Sequence, residues 1–170
     1  MVTLRCTQKL RRRLKETPPA PAASATTKLG DWYVNLLFTR PPHLLLCASE
    51  RTLLPVLLPA RDLDTLAVRL RQGLSEVLTA LGIPQPMIIA ELREMASCTF
   101  GPTASRQVLG SMKDFAHMMA WRRQAGPESD LLQRALDLAE SPCSPLRHNS
   151  PDRATRQVFW GDGPLRAADR

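Results

Sequence analysis

Gly30-Asp31-Trp32-Tyr33-Val34-Asn35-Leu36-Leu37-Phe38 is the stretch on which the fold turns. From Trp32 to Thr39, Trp32, Val34, Leu36 and Phe38 fall on one face of an extended chain. Tyr33, Asn35, Leu37 and Thr39 fall on the other. The aromatic and β-branched content suits a strand with one side in a core. Trp32 reads as core on that side, and Tyr33 as the freer aromatic.

Upstream, Val2, Leu4 and Cys6 alternate with Thr3, Arg5 and Thr7, the pattern of a short half-buried strand. Thr7 is placed to cap a helix over 8–16, with Leu10 and Leu14 as its inward pair. Residues 17–28, rich in Pro, Ala, Ser and Thr, read as a surface loop. Downstream, Arg40-Pro41-Pro42 breaks the strand, and 44–48 and 52–58 form a hairpin around Ser49-Glu50-Arg51. Pro55 has no N–H for a ladder, so its arm is an edge strand or carries a bulge.

Helical spacing then takes over. Asp62 is read as an N-cap before Leu63, Leu66, Leu70, Leu74 and Leu78, with Gly82 just past the end. A shorter helix opens at Pro84 or Pro86, 97–100 returns as a strand, and a helix runs from about Ser105 to Arg123. The order β-α-β-β-β-α-α-β-α predicts an α+β domain. Its expected form is a small antiparallel sheet of about four to five strands with helices packed on one face. Leu36, Phe38, Leu66, Leu70, Leu109, Met112 and Phe115 are the expected core.

The chain has 170 residues, enough for one domain, and 44% of them are apolar. Its 15 prolines gather near Pro18–Pro21 and after Pro127. We expect a single domain over 1–126 and a mostly disordered tail over 127–170, with a short helix at 130–140. The net charge is +7, and its excess lies before the tail, in Arg5, Lys9, Arg11, Arg12, Arg13 and Lys15. Lys9, Arg11, Arg12 and Arg13 form a basic surface suited to an acidic protein or a nucleic acid, or simply to solvent.

Cys6, Cys47, Cys98 and Cys143 lie far apart, with no paired ligands for zinc. Buried thiols and a reducing cytoplasm are the expected reading. No apolar run reaches the roughly 18–20 residues of a membrane helix, so a membrane partner is not expected. No cofactor or metal is indicated, and the pattern is silent on oligomeric state.

Three blocks carry a family resemblance: Leu4-Arg5-Cys6-Thr7-Gln8-Lys9-Leu10, Gly30-Asp31-Trp32-Tyr33 with Asn35-Leu36-Leu37, and Ser105-Arg106 with Val108-Leu109-Gly110-Ser111-Met112. Together they resemble a bacterial family grouped as domain of unknown function 6933, over roughly residues 2–120. Lys113 departs from the pattern, which has Asn before Asp114. The resemblance implies a bacterial cytosolic domain and brings no activity, cofactor or catalytic residue.

Ser111, Asp114 and His117 lie at i, i+3 and i+6 of one helix, and Ser111 and His117 diverge too far for a triad. Arg5, Tyr33, Asn35, Ser105 and Arg106 are the candidate anion-binding set, joining strand polar faces to a helix start. Each also has a plain structural role: Arg5 pairing with Asp31 or Glu16, Asn35 bonding a neighbouring strand, Ser105 capping. Asp31 and Asp114 are the acidic pair of an alternative reading, a small metal-assisted enzyme acting on a phosphorylated or nucleic-acid substrate. The leading expectation is a non-enzymatic binding or regulatory module whose basic surface meets an anionic protein or nucleic acid.

Overall fold

Val2–Cys6 forms the first strand, β1, and it lies inside the sheet rather than at its edge. The other strands are β2 (Trp32–Leu37), β3 (Leu44–Ser49), β4 (Pro55–Pro59) and β5 (Cys98–Pro102). They stand in the order β4-β3-β2-β1-β5. A computed structural model of the chain describes residues 1–14, 24–39, 43–121 and 131–161. The breaker at 40–42 and the expected domain boundary at 126–127 lie outside the described residues, as do residues 17–23 of the expected 17–28 loop.

The α+β class holds. The expectation of an antiparallel sheet is corrected, because β1 runs parallel to both β2 and β5, while β2, β3 and β4 alternate in direction. Alternation reveals a strand but not its direction. Parallel neighbours need long connections. Residues 7–31 return the chain beside β1, and the helices between β4 and β5 carry it to the opposite side.

Those helices are α2 (Leu66–Ala80) and α3 (Gln85–Glu94), and they follow α1, which spans only Gln8–Arg11. The register places Cys6, Val34, Cys47 and Val56 in one row, and Arg5, Tyr33, Ala48 and Pro55 in the next, on the opposite face. On the first face α2 packs close. A Cβ added to Gly73 stands 2.9 Å from Val56 Cγ1 and 3.1 Å from Leu58 Cδ2. The second face is covered by α4 (Arg106–Trp121), which meets β2 and β3.

Helices on one face only is therefore also corrected. The reason lies in β3, buried on both sides from Leu44 to Ser49, which needs an apolar cover above and below. β4 is an edge strand, one of the two outcomes expected for Pro55, and α5 (Leu131–Ala139) lies against it.

The expected helix at 130–140 is α5. The expectation of disorder is corrected over residues 131–161, because α5 and α6 (Pro151–Trp160) feed the main core through Ala135, Leu138, Ala139 and Phe159. Thr155 Oγ1 lies 2.9 Å from Thr52 Oγ1, and Arg156 Nε donates to the Leu81 carbonyl at 3.3 Å. The last part of the expected tail, 162–170, lies outside the described residues.

Five of the seven expected core residues are buried: Leu36, Leu66, Leu70, Met112 and Phe115. Leu109 is half-buried. Phe38 is 55% exposed, because β2 ends at Leu37 and the next residue has left the sheet. Tyr33, expected to be freer, is fully buried beneath α4 along with Trp32 on the other face. Asp62 makes no side-chain cap, since a short 3-10 turn at Leu63–Thr65 precedes α2. Gly82 does take the left-handed conformation expected just past α2, at φ 77°.

Candidate functional site

Arg5 and Tyr33 face each other across the parallel β1–β2 pair, so their side chains rise on one face. Asp31, one residue before β2, accepts the Thr3 N–H on Oδ1 at 2.9 Å. Its Oδ2 accepts Arg5 Nε at 2.9 Å and pairs with Arg5 Nη2 at 2.8 Å. The pair is mostly buried, which makes a lone survivor of either partner costly. Tyr33 Oη accepts the Ser105 N–H at 3.0 Å, and Ser105 Oγ in turn accepts the Val108 N–H at 3.3 Å. The Tyr33 hydroxyl also faces Glu50 Oε1 at 3.4 Å. Burial raises the Tyr33 pKa, against the opposing pull of the Ser105 N–H. At neutral pH the hydroxyl is therefore a proton-bearing group that can receive one N–H and offer its own hydrogen.

Beside this network lies a cleft of about 380 Å³ at the carboxyl end of β2. β2 contributes Asn35 and Leu37 on the α4 side, and β3 contributes Leu44. α4 contributes Leu109, Met112, Lys113, Ala116, His117 and Met119. Lys9 follows β1 and Arg134 comes from α5. Among the described residues lining the cleft there is no carboxylate. Phe38 stands at its edge, with Lys9 Nζ 5.6 Å and Arg13 Cζ 5.5 Å from its ring centroid. Its ring also meets His43 in an edge contact at 5.4 Å.

The five candidate anion-binding residues divide between these two places. Arg5, Tyr33 and Ser105 converge as a chain of bonds, with Arg5 spent on Asp31. Asn35 belongs to the cleft, its Oδ1 accepting the Thr7 hydroxyl at 3.1 Å. Arg106 is exposed at the start of α4 and lines neither. Of the basic set, Lys9 and Arg13 gather at Phe38, and Arg12 is exposed. Arg11 is half-buried.

The two acidic candidates serve different neighbours. Asp31 is buried with Thr3 and Arg5, whereas Asp114 is exposed on α4 and its charge acts on the Cys143 thiol. Among the described residues, no three of His, Cys, Asp and Glu gather as a metal set. Ser111 is buried and its hydroxyl reaches the Gln107 carbonyl at 3.4 Å, turned along its own helix.

Sequence reasoning missed the cleft's Lys113 and Arg134. Lys113 was visible as a departure from the family pattern. Arg134 lay in the expected tail, and only the docking of α5 brings it beside α4. The amphipathic 131–139 stretch was the available signal.

No curated protein and no solved structure gives a significant match. The family model described as Domain of unknown function (DUF6933) matches residues 3–154. That span takes in β2 to β5 and all of β1 but Val2, and reaches into α6, so the match follows the fold past the three sequence blocks. The chain belongs to this family of unknown function.

Proposed function

We propose that this domain is a non-enzymatic binding module that receives an anionic ligand in the cleft between β2 and α4. The observation that carries the reading is the sign of the lining: the exposed Lys9 and Lys113 stand at it, and no carboxylate is among its described lining residues. A concave wall of one sign concentrates field lines and draws counter-charge. Asn35 adds a polar amide at the same wall. The Arg5–Asp31 and Tyr33–Ser105 bonds are the frame that holds β1, β2 and α4 in register around it. Asp31 has its carboxylate committed to that frame, which takes the first acidic group away from the metal-assisted alternative.

The test is a titration of the full chain with sodium phosphate, followed by backbone amide NMR, against sodium chloride at matched ionic strength. Shifts confined to 35–38 and 109–117 are the expected result, lost in Lys9→Glu with Lys113→Glu. Shifts that instead centre on Arg106, or that chloride reproduces, overturn the reading.

A further inference from the structure

The cleft has two chemical zones. Its rim is cationic, with Lys9 and Lys113 both exposed. Its floor is hydrocarbon and thioether. Met112 and Leu44 are buried there, while Leu37, Leu109, Ala116 and Met119 are only half-buried. A hydrated inorganic ion uses the rim and leaves that floor wet. Covering the floor needs a ligand with an apolar body.

The volume, about 380 Å³, falls in the range of sites for single small molecules. Met112 and Met119 give the wall a side chain that adapts to irregular shapes. The exposed Phe38 looks at first like a stacking platform for a nucleobase. Its ring is already engaged by two cations and the His43 edge, which argues against that use.

We infer that the cleft takes a small amphipathic organic anion: an acidic head group at the Lys9 and Lys113 rim, and an apolar body on the floor formed by Leu37, Leu109, Ala116 and Met119. This rests on the anion reading above and narrows it to one class of ligand.

Three probes separate the zones in calorimetric titrations of the full chain: decanoate below its micelle concentration, acetate, and 1-decanol. Decanoate is expected to bind at one site, with acetate roughly a hundredfold weaker for want of the buried chain. Decanol is expected to be about tenfold weaker for want of the charge, and Lys9→Gln with Lys113→Gln brings decanoate down to that level. Ala116→Trp fills the floor and is expected to abolish decanoate binding while leaving the phosphate-induced amide shifts. Met119→Gln, a milder change on the same floor, covers the case in which the Trp variant melts early.

Equal binding of acetate and decanoate overturns the amphipathic class and leaves the anion reading standing. Equal binding of decanol and decanoate, unaffected by the lysine substitutions, overturns both. Tighter binding of labelled single-stranded DNA than of decanoate at the same residues replaces the small ligand with a polyanion.

Discussion

The Ser105 N–H donates to Tyr33 Oη at 3.0 Å, joining residues 72 apart in the chain. The bond fixes the start of α4 against the first residues of β2, and the cleft is the space left between those two elements farther along. Removing the acceptor strands an N–H at the helix start. Tyr33→Phe is expected to cost about 1–3 kcal/mol, read from urea unfolding. Hydrogen exchange at the Ser105 amide should quicken while amides in β3 keep their protection.

Arg5 and Asp31 hold the same frame from the β1 side. Asp31→Asn leaves the mostly buried Arg5 without its counter-charge, and a loss of roughly 3–5 kcal/mol is expected. The double variant Arg5→Met with Asp31→Asn should recover part of it, measured as a double-mutant cycle. Additive losses would show that the two side chains act on stability independently.

Glu91 on α3 accepts the Lys28 and Leu29 N–H groups at 2.8 and 2.9 Å, pinning the entry to β2. Burial raises its pKa, with those two N–H groups pulling the other way. A carboxyl whose folded pKa lies above its unfolded value binds more protons in the folded state. Its contribution is complete below the usual carboxylate range and is lost as pH rises through the folded value. The stability of the natural chain minus that of Glu91→Gln should therefore fall between pH 4 and the neutral range, where pH 4 is about the ordinary Glu value. Urea midpoints at several pH values check the sign.

Gly73 occupies an α2 position where Ala normally strengthens a helix by about 1 kcal/mol. Here the added Cβ meets Val56 Cγ1 at 2.9 Å, and a β-branched side chain on a paired strand has little room to move. Gly73→Ala is expected to destabilise by about 1–3 kcal/mol, seen as a lower melting temperature. A rise would show that α2 can slide on the sheet.

The α6 helix offers a test of how far the domain extends. Phe159 is buried in the common core, and Phe159→Ala is expected to cost about 3–5 kcal/mol. Deleting 142–170 should cost at least as much, since it removes Phe159 together with the Thr155 and Arg156 bonds.

Much of the architecture could be read from residue order, and the exceptions have physical causes. Alternation in β1 and β2, Pro55 in β4 and Gly82 after α2 each report a local constraint, and each located its element. Strand direction is set by connection paths, so the parallel pairs of β1 were invisible to alternation. The 131–161 region is polar enough to resemble a tail, yet a few residues such as Ala135, Leu138 and Phe159 suffice to dock it on an existing core. Arg5, Tyr33 and Ser105 were recognisable as a group because the first two lie on strand polar faces and the third opens a helix. Their mutual bonds, and the separate basic cleft beside them, depend on where α4 and α5 come to rest.

The position of β1 has a consequence for the order of assembly. It leaves the ribosome before the other four strands of the sheet, yet it sits between β2 and β5, and its Thr3 neighbours Thr99, 96 residues later. The β2–β3–β4 meander can form from near neighbours, but it presents an open flank along β2 until β1 takes its place. β1 in turn stays open on its other side until β5 is made. The newborn chain thus carries a strand open on one side until residues 98–102 have been made, and that interval is when it is most exposed to pairing with another molecule.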